Sequence, residues 1–339
     1  MAAGPSQTDT APVEFRKRGA PLIRTEMVPA CPVCGGLQQT EFASGFDYEL
    51  LTSINLWYFV QCADCRHVWL NPRPAVSELG IIYPPTYYAY NYGKISPIAR
   101  AAKAALDKRK MKKILRSCAS PPKSYLDIGC GDGRFLRVLG DLGVPRSALY
   151  GLELDQRVVD HLREEGYPAV QCARVEDAAG IPSAAVDLIT MFHVIEHVDN
   201  PATVIRRIHG WLSPGGIFAL ETPNLDSLDA RLFHKSYWGG YHIPRHWNLF
   251  TPETISRLLD DNGMEVVSIG FQTGHSFWMY SLHHVVRYGG GSRPVMGGWF
   301  DPVRSLAGIA GFTGFDLLRG AAGAKTSAML VLARKKAAA

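Results

Sequence analysis

Four cysteines in two C-x-x-C pairs are the first residues whose type and spacing indicate chemistry. Cys31 and Cys34 form one pair, and Cys62 and Cys65 form the other. Each pair makes a tight knuckle with two thiolates, and two such knuckles are typical of a tetrahedral zinc site. Four thiolates fill the coordination shell, so we expect a structural zinc ribbon over residues 29–75. A redox dithiol is disfavoured because no βαβ pattern surrounds the pairs.

A second candidate site is a glycine-rich turn between an apolar run and an amphipathic run. Its glycines are spaced G-x-G-x-G and include Gly129 and Gly131, with acids at Asp127 and Asp132. Glycine lets the backbone turn sharply and lets a ligand approach closely. The spacing differs from the G-x-G-x-x-G of dinucleotide-binding folds, and the acids would repel a pyrophosphate. The turn therefore favours a ligand that carries a cationic sulfonium and ammonium.

Histidine residues are the candidates for proton transfer. The loop before Pro252 contains His242, Arg245 and His246. Histidine accepts a proton near neutral pH, and an arginine can fix an anionic acceptor group through two hydrogen bonds. We expect His242 or His246 to be the general base, with His193 as a rival base. The alternative is that both loop histidines only brace the loop.

A zinc-protease pattern, H-x-x-E-H, also occurs, at His193, Glu196 and His197. That chemistry needs both histidines one turn apart on a helix. Here His193 follows directly on a strand-like run, and Pro201 favours the start of the next helix. We therefore expect His197 to be structural rather than a metal ligand.

The elements that must position these residues alternate between strand and helix. Alternation at this spacing predicts a parallel sheet with helices on both faces, whose ligands bind beyond the carboxyl ends of the strands. That edge would carry Gly129, Glu153, His193 and Asn224. Glu153 ends the second strand, where a carboxylate can accept hydrogen bonds from both hydroxyls of a ribose. The predicted strands lie near 124–128, 148–153, 168–172, 186–192, 216–222, 265–271 and 326–333, and the predicted helices near 132–142, 155–165 and 201–212.

Residues 124–222 resemble the class I S-adenosylmethionine (SAM)-dependent methyltransferases. The matching pieces are Leu126-Asp-Ile-Gly-Cys-Gly-Asp-Gly133, Gly151-Leu-Glu-Leu-Asp155, Asp187-Leu-Ile-Thr-Met-Phe-His-Val-Ile-Glu-His-Val198 and Leu212-Ser-Pro-Gly-Gly216. The resemblance implies an α/β fold: a Rossmann-like, seven-stranded, mostly parallel sheet with the seventh strand antiparallel beside the fifth. It also implies SAM as cofactor. The small N-terminal zinc ribbon would be added to this fold.

The resemblance also implies which residues hold the cofactor. Asp127, Gly129 and Gly131 would line its methionine end, and Glu153 would hold its ribose. Tyr87 and Tyr88 belong to a tyrosine-rich segment before the first strand, where such enzymes often close a lid over the cofactor. That segment could equally pack between domains. The remaining predicted contacts are Cys130, Leu154, Phe192 and His193.

The loop around His242 resembles the substrate-side segment of zinc-module methyltransferases from bacterial sugar and surface-polysaccharide pathways. We therefore predict methyl transfer to a sugar, glycan or lipid-linked small molecule. An RNA methyltransferase is one alternative, motivated by the zinc module and by a basic stretch from Lys103 to Arg116. A non-catalytic scaffold with a SAM fold is the other, and DNA is not an expected partner. The sequence leaves open whether carbon, oxygen or nitrogen accepts the methyl group.

Composition and charge set the remaining bounds. The 339-residue chain has a net charge of +5, concentrated between Lys103 and Arg116, which would form a solvated helix face or contact RNA or an anionic membrane. No apolar run approaches the roughly 18 to 20 residues that span a bilayer, and no signal peptide is evident. We expect a cytoplasmic protein without a disulfide framework.

The predicted organisation has four parts, and the last contains two insertions. An apolar insertion at 275–325 is expected to pack on the core, although it could wall a substrate pocket or rest on a lipid surface. The parts are a flexible leader (1–28), the zinc ribbon (29–75), a tyrosine-rich segment with a basic helical linker (76–122), and a methyltransferase domain (123–339) with insertions at 223–250 and 275–325.

Overall fold

A computed structural model of the chain describes residues 12–84, 97–289, 299–301 and 305–336. The expected lid residues Tyr87 and Tyr88 lie outside these residues. The strands are β1 (Thr25–Glu26), β2 (Gln39–Gly45), β3 (Trp57–Cys62), β4 (Val68–Leu70), β5 (Arg73–Pro74), β6 (Tyr125–Ile128), β7 (Leu149–Glu153), β8 (Val170–Cys172), β9 (Val186–Phe192), β10 (Leu212–Pro223), β11 (Asn248–Leu249), β12 (Met264–Gln272) and β13 (Ala328–Lys335). The α-helices are α1 (Val13–Lys17), α2 (Leu79–Ile82), α3 (Pro97–Leu115), α4 (Arg134–Asp141), α5 (Gln156–Glu164), α6 (Pro201–Trp211), α7 (Leu228–Phe233), α8 (Pro252–Asp261), α9 (His275–Tyr288) and α10 (Leu306–Ala321).

The central sheet has seven strands in the order β12-β13-β10-β9-β6-β7-β8. β10, β9, β6, β7 and β8 pair in parallel, and β13 pairs antiparallel with both β10 and β12. The predicted α/β class, the mostly parallel sheet and the antiparallel seventh strand are therefore confirmed. Because β9 lies between β6 and β10, the carboxyl ends of three neighbouring strands meet at one edge.

Helices cover both faces of this sheet, which explains why its strands are apolar almost throughout. On one face, Leu126 and Ile128 of β6 pack in a cluster with residues of α6 and α8. On the other face, Tyr125 packs with residues of α3, α4 and α5. The helices predicted near 132–142, 155–165 and 201–212 correspond to α4, α5 and α6. Thr251 caps α8 in a capping box with Thr254, and Pro252 occupies its first turn.

A second sheet is built from the N-terminal module and a segment far away in sequence. Its strand order is β11-β4-β3-β2, with antiparallel pairs throughout. β11 belongs to the predicted insertion 223–250 and pairs Asn248 with Trp69 and Leu249 with Val68. The insertion therefore completes the sheet of the predicted zinc ribbon, and the loop that carries His242 and His246 is held against that module.

The apolar insertion folds into α9 and α10, which pack on each other. Trp278 of α9 stacks on Phe312 of α10 with ring centroids 5.7 Å apart. Phe277 and Tyr280 of α9 reach the cavity described below, so this insertion walls a pocket as well as packing on the core. Among the described residues, none of the helices combines the length and the apolar character needed to cross a membrane.

Candidate functional site

One cavity of about 770 Å³ lies at the carboxyl edge of the central sheet. It is lined by the loops after β6, β7 and β9, by the loop before β11 and by the start of α9. Every described residue predicted to bind the cofactor or act as base contributes to its wall: Asp127, Gly129, Cys130, Gly131, Glu153, Leu154, Phe192, His193, His242 and His246.

The glycine-rich turn and Glu153 form one preorganised wall of this cavity. Gly129 has φ of 77°, and a Cβ there would lie 2.5 Å from Val194 Cγ2, so only glycine fits. The backbone N–H of Gly131 donates to Glu153 Oε2 (2.9 Å), and that of Leu154 donates to Oε1 (2.7 Å). These bonds fix the carboxylate at the end of β7 and leave lone pairs for further donors.

Asp127 presents a buried carboxylate oxygen without a partner among the described residues. Its Oδ1 accepts a hydrogen bond from Thr190 Oγ1 (2.7 Å), whereas its Oδ2 is buried and unsatisfied. Burial raises the pKa of Asp127 to about 6, although the Thr190 bond and the charge of Arg134 oppose the rise. A buried carboxylate with an unsatisfied oxygen suits a cationic ligand group, because the positive charge would favour the ionised form of Asp127.

His242 forms a dyad with an acid from the N-terminal module. Its Nδ1–H donates to Glu49 Oε2 at 2.7 Å, and both side chains are about 95% buried. Burial alone would raise the pKa of Glu49, but the His242 charge and this hydrogen bond lower it. His242 adopts φ of 40°, a left-handed conformation that a histidine holds only under constraint. In enzymes that use histidine as a general base, a carboxylate often accepts a hydrogen bond from Nδ1–H and orients the imidazole in this way.

His193 is held between two acids. Its Nδ1–H donates to Glu196 Oε1 and its Nε2–H to Glu221 Oε1, each at 3.2 Å. Burial alone would lower the pKa of His193, but these two carboxylates raise it to about 9. Lys110 Nζ contacts Glu221 Oε2 at 2.5 Å, and the pKa of Glu221 falls to about 2 despite its burial, through His193 and Lys110. His193 is therefore an imidazolium at neutral pH.

His197 and His246 are neutral rings packed edge to face, with centroids 4.7 Å apart. Burial lowers the pKa of His197 to about 4 and that of His246 well below its usual value. The Nδ1–H of His246 donates to the Gly240 carbonyl (2.8 Å), and that of His197 to the Arg245 carbonyl (2.9 Å). Backbone bonding on Nδ1 leaves Nε2 as the lone-pair nitrogen of each ring.

A family model described as a methyltransferase domain matches residues 100–269, half of the chain. This match covers β6 to β11, most of β12, and the cavity loops that follow β6, β7 and β9 and precede β11. The chain belongs to this methyltransferase-domain family.

Curated relatives agree with the family match over part of the chain. A protein of Mycolicibacterium smegmatis described as a "Probable S-adenosylmethionine-dependent methyltransferase" is 32% identical over 155 residues, which are 45% of this chain and 56% of that protein. A ubiquinone biosynthesis O-methyltransferase of Methylobacterium sp. is 29% identical over 150 residues, 42% of this chain and 60% of that one. The chain thus spans less than two thirds of these relatives.

Among solved structures, a 1,6-didemethyltoxoflavin-N1-methyltransferase of Burkholderia thailandensis is 15% identical. It covers 81% of this chain and 98% of its own, with a TM-score of 0.46.

The four paired cysteines of this methyltransferase-domain protein come together away from the cavity. Cys31 Sγ lies 3.5 Å from Cys65 Sγ, and Cys34 Sγ lies 3.6 Å from Cys62 Sγ, with all four sulfurs within 4.8 Å. Zinc–sulfur bonds of about 2.3 Å place tetrahedral ligands roughly 3.8 Å apart. The tetrad therefore has the spacing that a zinc ion needs.

The expectation that Arg245 binds an anionic acceptor is wrong. Its guanidinium is fully buried, donates to both carboxylate oxygens of Asp47 (3.1 and 2.8 Å) and also to the carbonyls of Ile82 and Ile243. The side chain does not line the cavity. Its donors instead lock the loop of the methyltransferase domain to the N-terminal module.

Several cavity residues carry no signal in the sequence that would single them out. Glu49 is one acid among the aromatic residues between the two cysteine pairs, 193 residues before His242. Lys110 looks like one more member of the basic helix, yet it turns inward to Glu221. The position of Glu221 at the end of β10, where ligands bind in parallel sheets, is the single usable hint.

Proposed function

We propose that this chain transfers a methyl group from SAM to an uncharged, hydroxylated acceptor such as a sugar, a glycan or a lipid-linked small molecule. The observation that carries this proposal is that one cavity contains both the Asp127–Glu153 wall and the His242–Glu49 dyad. The first has the chemistry to hold a cationic nucleoside, and the second has the chemistry to remove a proton. Membership of the methyltransferase-domain family supports the same reaction.

The donor end of the cavity is assigned to the wall that contains Asp127, the glycine-rich turn and Glu153. Asp127 Oδ2 would accept the ammonium of the methionine portion, and Glu153 would accept the ribose hydroxyls. Gly129 and Gly131 would leave room for the backbone to approach the ligand, while Cys130, Leu154 and Phe192 would contact its apolar parts. When bound, SAM supplies a methyl group already activated on a sulfonium. The chain therefore has to align an acceptor and remove its proton.

The general base is assigned to His242 rather than to His246 or His193. Both ring nitrogens of His193 donate hydrogen bonds to carboxylates, and the ring is protonated at neutral pH, so it cannot accept a proton. His246 has a lowered pKa and no carboxylate on its Nδ1, so its imidazolium would be poorly stabilised. Glu49 supplies that stabilisation to His242 across a 2.7 Å hydrogen bond. The acceptor proton would pass to the His242 ring as the acceptor atom takes the methyl group.

The charges around the cavity favour an uncharged acceptor. Each arginine or lysine that lines the cavity in the described residues is already paired: Lys110 with Glu221, Arg134 with Asp107, and Arg174 with Glu176 and Asp199. Glu49 adds negative charge beside His242, which would repel an anionic acceptor. A neutral hydroxylated acceptor needs no cationic partner and is not repelled by the Glu49 carboxylate.

The cysteine tetrad is proposed to hold a structural zinc ion. Four thiolates at tetrahedral spacing leave no open position, so the metal would stabilise the ribbon and take no part in methyl transfer. Because β11 pairs with β4 of the same sheet, the ion would also steady the loop that carries His242. Removing the metal should therefore disturb the cavity as well as the ribbon.

The test of methyl transfer uses methyl-labelled SAM and a cell extract separated into lipid, RNA, protein, glycan and small-molecule fractions. Label that enters the glycan, small-molecule or lipid fraction with the wild type, and not with Glu153→Ala, supports the proposal. Label in RNA would favour the alternative that the exposed basic face of α3 suggests, and charge reversal at Lys108 and Lys112 would then abolish it. Donor binding without label in any fraction would favour the scaffold alternative.

The role of the dyad is tested with Glu49→Gln in the fraction that becomes labelled. A hydrogen bond to a charged group contributes about 1.5–3 kcal/mol, so losing it lowers kcat about 10- to 150-fold. Glu41→Gln, which alters an exposed acid of the same module, is the matched control and should keep wild-type kcat. Unchanged kcat in Glu49→Gln with donor affinity intact would contradict the His242–Glu49 dyad as the proton-accepting group.

A further inference from the structure

A second group of metal-ligating side chains lies in the cavity wall, apart from the cysteine tetrad. Glu196, His197 and His246 each place one ligand atom within 4.8 Å of the others. His197 and His246 line the cavity, and Glu196 is fully buried behind them. We propose that these three residues bind a divalent transition-metal ion, distinct from the zinc of the ribbon.

The orientation of the two rings is the first argument. Each ring uses Nδ1–H to donate to a backbone carbonyl, His246 to Gly240 (2.8 Å) and His197 to Arg245 (2.9 Å). Such outer bonds fix the tautomer and aim the other nitrogen, which is how metal-ligating histidines are usually held in proteins. Within the described part of the chain, no hydrogen-bonding group lies on the Nε2 of either ring. The two lone pairs are thus available to one ion.

The orientation of the carboxylate is the second argument. Glu196 Oε1 accepts from His193 Nδ1 (3.2 Å), and Oε2 accepts from Thr222 Oγ1 (3.1 Å). Each oxygen retains a lone pair, because a carboxylate offers about four acceptor positions. The backbone also ties the two ligand segments together, since Trp247 N donates to the Glu196 carbonyl at 2.7 Å. Glu196 and His246 are therefore fixed relative to each other by neighbouring backbone.

The ligand set and its spacing define the kind of ion. Two neutral imidazoles and one carboxylate suit Zn²⁺, Co²⁺, Ni²⁺ or Fe²⁺ better than Mg²⁺ or Ca²⁺, which prefer oxygen ligands. Zinc–nitrogen bonds of about 2.1 Å set tetrahedral ligands roughly 3.4 Å apart. The three ligand atoms lie within 4.8 Å of one another, so small side-chain rotations would bring them to that spacing. Three protein ligands leave a fourth position open, as in metal sites that bind a substrate.

This set differs from the pair that the H-x-x-E-H spacing suggests. His193 and His197 do not share a helix: β9 ends at Phe192, and Ile195–His197 form a single 3₁₀ turn. His193 is bonded to acids through both nitrogens, so it cannot ligate. The second histidine ligand is instead His246, which lies in the loop before β11, the strand that pairs with the ribbon. His197, expected to be structural, thereby becomes a ligand.

His197 and His246 line the cavity, and the His242 ring centroid is 5.0 Å from that of His246, so an open position on the ion would be within reach of the cavity next to His242. An oxygen of the acceptor bound there would lie beside the general base. This role rests on the proposed function, whereas ion binding does not. Metal binding is therefore tested without donor or acceptor, so that failure of the site and failure of methyl transfer remain distinguishable.

The experiment reconstitutes untagged, metal-free full-length protein with Co²⁺ under anaerobic, reducing conditions. Wild type is expected to bind two equivalents. One gives the intense near-ultraviolet charge-transfer band of cobalt thiolates, and the other gives weaker visible bands without charge transfer. His246→Ala and the near-isosteric Glu196→Gln should keep the thiolate band. Their affinity for the second equivalent should fall more than about 100-fold, because losing even an outer partner of a metal ligand costs 10- to 100-fold.

His161→Ala is the matched control, because His161 is exposed on α5 and paired with Glu165. It should bind both equivalents. If a cavity variant fails to fold, the wild-type titration alone decides: a single equivalent, with only the thiolate spectrum, overturns the proposal. A second equivalent that persists at full affinity in both His246→Ala and Glu196→Gln overturns it as well.

Discussion

The Asp47–Arg245 ion pair is expected to couple the N-terminal module to the loop that carries His242 and His246. Both side chains are fully buried, and the two parallel bonds measure 3.1 and 2.8 Å. Burial alone would raise the pKa of Asp47, but the Arg245 charge lowers it to about 2. The carboxylate therefore stays ionised, and its stabilising effect is present above pH 4 and lost between about pH 4 and 2.

The perturbation is Asp47→Asn, which keeps the shape of the side chain and removes the carboxylate charge that faces the buried Arg245 guanidinium. Breaking a buried pair from one side costs about 3–5 kcal/mol. With an unfolding entropy of about 2.1 cal/mol/K per residue, a chain of 339 residues that unfolds as one unit loses about 4–7 °C in Tm. A partial unfolding of the module alone would give a larger shift, because fewer residues contribute entropy.

Thermal unfolding at pH 7 by circular dichroism measures the effect. Glu41→Gln removes an exposed carboxylate of the same module and should shift Tm by less than about 1 °C. The double variant Asp47→Leu/Arg245→Met should be more stable than Asp47→Asn, because both buried charges are gone. A Tm for Asp47→Asn within 1 °C of wild type would refute the idea that this pair joins the two parts.

Three further predictions concern the donor end and the metal of the ribbon. Glu153→Ala should weaken S-adenosylhomocysteine binding about 10- to 100-fold in calorimetry, since a charged hydrogen-bond acceptor is lost, and undiminished affinity would contradict the ribose assignment. Free Asp127 holds its proton below about pH 6; the affinity should therefore fall about tenfold from pH 7 to pH 5, and Asp127→Asn should remove this dependence. Metal analysis of the purified protein should find about one zinc ion per chain in the wild type and in the control Cys172→Ser, which changes an exposed cysteine. Cys31→Ser should retain little zinc, because one of the four thiolates is lost. A full zinc content in Cys31→Ser would contradict the tetrad as the site.

Local patterns in the sequence determine the central fold well. The alternation of apolar runs with amphipathic runs predicts the strands and helices of the central sheet. A strand that is covered on both faces must be apolar throughout, and a helix that packs on the sheet must be apolar on one side. Thr251 followed by Pro252 marks the start of α8, because the cap and the fixed φ of proline act within one turn. The glycine-rich turn is equally local: Gly129 has φ of 77°, a backbone conformation that residues with a Cβ rarely adopt.

The acceptor side of the cavity depends on contacts between segments that are far apart in sequence. Nothing near His242 predicts Glu49, and nothing near Arg245 predicts Asp47, because each pair joins residues separated by more than 190 positions. The sequence therefore assigns Arg245 to an anionic ligand, whereas in the folded chain two of its guanidinium nitrogens donate to the buried Asp47 carboxylate.

Residue types and spacing along the chain determined the α/β fold, the cysteine tetrad and the glycine-rich turn, since each arises within one strand–turn–helix unit or one pair of knuckles. Tertiary structure decided which histidine stands beside which acid. His193 and His246 are chemically identical in the sequence, and the carboxylates and burial around each ring give these two residues different protonation states, whereas His242 is paired with Glu49. Glu49 reaches His242 because β11 pairs with β4 and holds the His242 loop against the N-terminal module, a contact that no local pattern encodes.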